Sequence, residues 1–138
     1  MIVGGMTDSF LLEILNGVHE PDDDYALALY SSSANLGPQT TGYTTLGEVR
    51  AMGYDAGGHS LSGRDTGGLD NGAWLNFDDE VWPNVSLVAR GGLVYNRSKG
   101  GKSVVVVDFG DDIRSTNHEF VARFPKDGEE AAVVLTRG

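Results

Sequence analysis

The sequence predicts an all-β sandwich of jelly-roll-like connectivity, carrying one short N-terminal helix and a long ordered loop. Three observations predict it. Period-two alternation of apolar and polar residues recurs in about eight short segments. The twenty glycines fall repeatedly in pairs, at 4–5, 57–58, 67–68, 91–92 and 100–101, where they favour tight turns and bulges over helix or strand interiors. No long helical pattern alternates with the strands, which argues against a parallel α/β sheet. A length of 138 residues suits one domain with a single core. That domain spans 1–138, with an N-terminal arm and helix over 1–18.

Met1 and Met6 are alternative starts, and a start at Met6 would leave Met1 to Gly5 as a poorly ordered lead-in. Thr7 or Asp8 then caps a helix over Ser9–Asn16, and Gly17 ends it. Phe10, Leu11, Ile14 and Leu15, with Val18 just beyond, make its apolar face, and so short a helix must dock to persist. The acidic run Glu20-Pro21-Asp22-Asp23-Asp24 is a solvated turn leading into the first clear strand.

Strand signals follow at Tyr25–Ser31, His59–Gly63, Ala73–Phe77, Glu80–Trp82, Val85–Asn96, Ser103–Phe109, Glu119–Phe124 and Ala131–Thr136. In the first, Tyr25, Leu27 and Leu29 point to one side and Ala26, Ala28 and Tyr30 to the other. The Gly91-Gly92 pair inside Val85–Asn96 predicts a bulge or sharp bend, the usual means by which a long strand crosses between two sheets. Val104 to Val107 is apolar on both faces and belongs mid-sheet.

Between the strands that end near Tyr30 and begin near His59 lies the longest connection. Loops beyond about 12–15 residues in compact domains are functional or disordered. Here Tyr43, Leu46, Val49, Met52 and Tyr54 are too apolar for disorder, so the loop is expected to pack down, on this protein or on a partner. These five residues are the candidate partner-binding set.

Composition excludes several classes. Twenty acidic against ten basic residues give a net charge of −10, which repels phosphate backbones and anionic lipid, so neither nucleic acid nor membrane is an expected partner. The absence of cysteine removes disulfides, thiolate metal sites and thiol catalysis. No apolar run approaches the roughly 20 residues of a membrane helix, and the N-terminus lacks a signal-peptide pattern. The chain is expected to be made in the cytoplasm and to stay soluble.

No catalytic, cofactor-binding or metal-ligating residue is assigned. Gly100-Gly101-Lys102-Ser103 copies the end of a phosphate-binding loop, but Asn96 stands where the motif needs glycine and a strand follows where it needs a helix; a hairpin turn explains it. Asp108-Phe109-Gly110 lacks the other kinase motifs. The carboxylate runs 22–24, 78–80 and 108 with 111–112 have no calcium-loop spacing, and adjacent strand residues point to opposite faces. His19, His59 and His118 have no metal-site spacing, and Gly58-His59-Ser60-Leu61-Ser62 misses the serine-nucleophile elbow at its last position. Asn84 and Asn96 head glycosylation sequons that need a secretory route. Trp74, Phe77 and Trp82 have faces for stacking on a sugar, though strand aromatics beside a turn are more often core.

The segments Ala28-Leu29-Tyr30-Ser31-Ser32-Ser33-Ala34, Tyr43-Thr44-Thr45, Gly47-Glu48-Val49 and Gly53-Tyr54-Asp55-Ala56-Gly57-Gly58 resemble a family of small virion proteins of tailed bacteriophages. The likeness continues through Val81-Trp82, Ala89-Arg90-Gly91-Gly92-Leu93-Val94-Tyr95-Asn96 and Val107-Asp108-Phe109-Gly110. The resemblance implies a capsid cement or decoration protein: a jelly-roll sandwich on the outside of an HK97-like shell, stapling neighbouring major capsid subunits. Its implied partners are the major capsid protein and itself, as a homodimer or trimer, without cofactor or enzymatic activity. The alternatives are a head-fibre or tail-associated virion protein, and a glycan- or host-surface-binding module using Trp74 or Trp82.

Overall fold

The computed structural model describes residues 1–124 and 130–137. The fold is an all-β sandwich with one short N-terminal helix. In chain order the elements are β1 Gly5–Met6, α1 Asp8–Leu15, β2 Tyr25–Tyr30, β3 His59–Ser60, β4 Asp65–Leu69, β5 Gly72–Asn76, β6 Glu80–Asn96, a 3₁₀ turn Arg97–Lys99, β7 Lys102–Ala122 and β8 Val133–Thr136. A five-stranded sheet has the order β1-β7-β6-β2-β3, and a three-stranded sheet the order β4-β5-β8. Both are antiparallel throughout.

The lead-in is ordered, contrary to expectation. Val3 donates its N–H to the Leu36 carbonyl at 2.8 Å, Leu36 donates to that of Met1 at 3.1 Å, and β1 pairs with β7. The arm has few side chains to bury, but the backbone groups of the long loop and of β7 give it partners. Thr7 caps α1 as predicted, its hydroxyl accepting the Phe10 N–H at 3.3 Å, and Gly17 stands at φ +66 just beyond. The helix docks through fewer residues than its pattern implies: Phe10 is buried and Ile14 packs against the core, whereas Leu11, Leu12 and Leu15 are exposed.

The paired predictions Glu80–Trp82 and Val85–Asn96 are one strand, and so are Ser103–Phe109 and Glu119–Phe124. Pro83-Asn84 breaks the pattern but not the strand, because a register shift between Trp82 and Val85 absorbs it, with Asn84 at φ +58. The polar stretch from Gly110 to His118 carries no alternation, yet it pairs along β6 because an antiparallel ladder needs only backbone groups. A register shift also falls between Ala89 and Gly91, where the glycine pair predicted one; β6 nonetheless stays within a single sheet. Strand β4, DTGGL, escaped the pattern altogether. It forms because the Asp70-Asn71 turn brings it against β5, and because Gly67 has no Cβ to collide with the Trp74 indole that lies over it.

Strand β2 is buried on both faces. Its Tyr25, Leu27 and Leu29 join the larger core with Trp82, Val85, Phe77, Phe120 and Phe124. Its Ala26, Ala28 and Tyr30 face a second cluster with Leu36, Leu93, Tyr95 and Val106, roofed by Ile2 of the arm and Tyr43 of the loop. The long loop is therefore a structural layer as well as a connection.

Candidate functional site

The loop over residues 31–58 is fastened to the sheet from both sides. Its 47–49 segment runs beside the end of β2: Ser31 donates to the Gly47 carbonyl and Val49 to that of Leu29, both at 2.9 Å. The backbone at 41–43 crosses the β6–β7 turn, where Ser103 donates to the Thr41 carbonyl at 3.1 Å and Tyr43 to that of Gly101 at 2.9 Å. At its far end Gly58 adopts φ +71 and lies so close to the Leu27 carbonyl that a Cβ would collide with it.

Glu48 is the centre of this arrangement. Its carboxylate is buried and accepts three bonds: from the Tyr43 hydroxyl at 2.6 Å, the Tyr54 hydroxyl at 2.6 Å and the Gly57 N–H at 2.8 Å. Charge-assisted bonds of this kind offset the desolvation of a buried carboxylate. Burial first, and then the Glu48 carboxylate that each phenol faces, push Tyr43 and Tyr54 above the usual tyrosine range. Tyr43 also stacks on Tyr95, ring centroids 4.9 Å apart, and the Tyr95 hydroxyl donates to the Gly57 carbonyl at 2.6 Å. Arg97 donates to the same carbonyl and to the Ser60 hydroxyl. Sequence reasoning missed Glu48 as this centre. The signal was available: it is the one carboxylate between Ala26 and Tyr54, with a tyrosine on either side.

The five candidate partner-binding residues divide accordingly. Val49 and Tyr54 are buried in the protein's own core, and Tyr43 packs on its second cluster. All three hold the loop; Val49 and Tyr54 offer a partner nothing, whereas Tyr43 is half-buried. Leu46 and Met52, at 79% and 93% exposed, stand at turns between the fastened points, with their side chains in solvent. The division follows from backbone pairing: Val49 bonds to β2, whereas Leu46 and Met52 sit in the turns on either side of it.

The stacking aromatics also divide. Trp82 is fully buried, with the His59 ring stacked on it at 4.4 Å, and Phe77 is buried as well; neither can meet a sugar. Trp74 is half-buried on the three-stranded sheet. His59 Nδ1 lies 2.7 Å from Glu80 Oε2, and the neighbouring Ser60 hydroxyl accepts from Arg97. Asn96, head of a sequon, is fully buried. Its amide donates to Asp23 at 2.8 Å and bonds His19 Nδ1 at 3.0 Å, so a glycan has no access to it in the folded chain.

The acidic run is a turn with Glu20, Pro21, Asp22 and Asp24 exposed as expected, and Asp23 alone is folded in. Asp23 accepts from Asn96, from the Glu20 N–H at 2.9 Å and from Lys99 at 3.4 Å, and its side chain is 8% exposed. Among the described residues, no three His, Asp or Glu side chains converge as metal ligands. Among them, too, no helix is long and apolar enough to cross a membrane. What the geometry supplies is a rigid surface with apolar tips. No family model, curated protein or solved structure matches the chain.

Proposed function

We propose that this protein is a structural virion protein that binds the outside of a bacteriophage capsid and staples neighbouring major capsid subunits. The observation that carries the proposal is the loop. It is locked to the sheet through Glu48 and the tyrosines around it, while Leu46 and Met52 stand out from it in solvent. A clamp benefits from contact side chains on a rigid mount, because little freedom remains to be lost on binding. The resemblance of the loop and β6 segments to capsid decoration proteins supplies the identity of the lattice. The net charge of −10 suits a basic shell exterior and keeps decorated particles apart.

A protein that binds only the assembled lattice stabilises it by linkage, about 2.7 kcal/mol per site at a hundredfold excess over Kd, repeated over many sites. The test is to compare particles with and without the protein. Particles lacking it assemble but open at lower temperature, and adding purified protein restores the loss, saturating near the copy number of the major capsid protein. Saturation at a handful of copies assigns it to a vertex, head fibre or tail, and unchanged melting removes the cement role.

A further inference from the structure

The His19 ring is enclosed between α1, the acidic turn and the end of β6, with its side chain 5% exposed. Phe10 of α1 meets it edge-on at 4.9 Å, and Tyr25 of β2 stacks on it at 6.4 Å. Its two nitrogens face different elements. Nε2 lies 2.8 Å from Glu13 Oε1 on α1, and Nδ1 lies 3.0 Å from the Asn96 amide nitrogen on β6. The Asn96 amide has only one orientation open to it. Its oxygen accepts the Ser98 N–H at 3.0 Å, and its nitrogen donates to the Asp23 carboxylate at 2.8 Å. A backbone N–H only donates and a carboxylate only accepts, so the amide faces His19 with its nitrogen, as a donor. Nδ1 is therefore an acceptor. This bond pattern assigns a neutral ring that carries its proton on Nε2 and donates it to Glu13.

We propose that His19 is an acid-sensitive latch: the neutral ring ties the C-terminal end of α1 and the acidic turn to the sheet, and a second proton breaks the tie at Asn96. With both nitrogens protonated, Nδ1 and the Asn96 amide oppose each other as two donors, in a corner with little access for water. The imidazolium keeps Glu13, because a charged donor makes the stronger bond to a carboxylate. It therefore parts from the sheet and stays with the helix. The ionisable groups around this corner are Glu13 on α1, Glu20 and Asp23 in the turn, Tyr25 on β2, Lys99, which bonds Glu20 and Asp23, and Arg64, which lines the neighbouring cavity and reaches the Tyr25 hydroxyl. The other end of α1 is held separately. Thr7 donates its N–H to the Val104 carbonyl at 3.2 Å, and its hydroxyl bonds that of Ser103 at 2.9 Å. Release thus acts on the last turn of α1 and on residues 16–24 while Thr7 stays in place. The inference does not rest on the capsid proposal, which concerns the loop.

The test follows the intact ¹⁵N-labelled protein from about pH 8 to about pH 5, where histidine ordinarily gains its second proton and the Asp23 carboxylate keeps its charge. At the upper end, long-range ¹H–¹⁵N correlations of His19 are expected to show a proton on Nε2 and none on Nδ1. As the ring protonates, the hydrogen-exchange protection factors of Val18, Asp23 and Arg97 are expected to fall about three- to tenfold, the scale of one lost hydrogen bond, while that of Leu29 on β2 holds. His19→Gln keeps a donor toward Glu13 and does not titrate, so it removes the fall, whereas His59→Gln leaves it in place. A proton on Nδ1 at the upper end, a ring still neutral at the lower end, or protonation without loss of protection overturns the latch. These three are read on the native chain and stand whether or not a variant folds. The same fall in His19→Gln, or its disappearance in His59→Gln, also overturns the latch by assigning the effect to another group.

Discussion

The Tyr54 hydroxyl donates to Glu48 Oε2 at 2.6 Å and accepts the N–H of Leu29 at 2.8 Å, so a single phenol joins the long loop to β2. Removing that oxygen leaves a buried backbone N–H without a partner and takes one of three donors from a buried carboxylate. Tyr54→Phe is expected to cost about 1–3 kcal/mol in urea denaturation, the range for leaving a buried polar group unsatisfied. Glu48→Gln weakens the Tyr54–Glu48 bond from the other end by removing the charge and one acceptor oxygen. The double variant is therefore expected to lose less than the sum of the single losses, and strict additivity shows the two side chains to be uncoupled.

Alkaline pH weakens the fold through the same group of residues. Burial raises Tyr30, Tyr43 and Tyr54 above the ordinary tyrosine value near 10, and the Glu48 carboxylate adds to the effect on each. Their protons are held more tightly in the folded than in the unfolded chain. The resulting stability is fully present below about pH 10 and falls as the pH rises beyond it, where only the unfolded chain ionises. The urea midpoint is expected to drop between pH 9 and 11, and Glu48→Gln to reduce the drop. A flat profile across that window refutes the buried tyrosine–carboxylate cluster.

At the acid end the relevant group is Asp23. Burial works to raise its value, but the Asn96 amide, the Glu20 N–H and the Lys99 ammonium outweigh burial and hold it below the usual carboxylate range. A carboxyl lowered in the folded state contributes stability above its unfolded value near 4, and that contribution is lost as the pH falls through the lower folded value. Stability measured from pH 5 down to pH 2 is expected to decline less steeply in Asp23→Asn than in the native chain. Equal slopes show that Asp23 carries no such contribution.

The loop tips offer a separation of binding from folding. Leu46 and Met52 are exposed, so Leu46→Ser and Met52→Ser are expected to change stability by no more than about 0.5 kcal/mol, as surface substitutions do. Retention of the double variant on purified particles is expected to fall at least tenfold, which corresponds to about 1.4 kcal/mol of lost contact. Undiminished retention moves the contact surface elsewhere on the molecule.

Local pattern determined much of this protein. Thr7 and Gly17 bounded the helix because caps act within one turn of chain, and the alternation from Tyr25 to Tyr30 assigned each side chain its face because strand geometry has a period of two. The glycine pairs at 91–92 and 100–101 marked a bulge and a turn for the same local reason. The tertiary structure alone decided which apolar residues of the loop are core and which are exposed. Val49 and Leu46 differ little as residues, but Val49 falls where the backbone bonds to β2, and Leu46 falls in the turn before it. It alone decided that Leu11 and Leu15 stay exposed on a helix whose Phe10 is buried, and that Glu48, Tyr43 and Tyr54 meet at one point. Such meetings depend on backbone pairing between distant segments, whose side chains carry no mark of it in sequence.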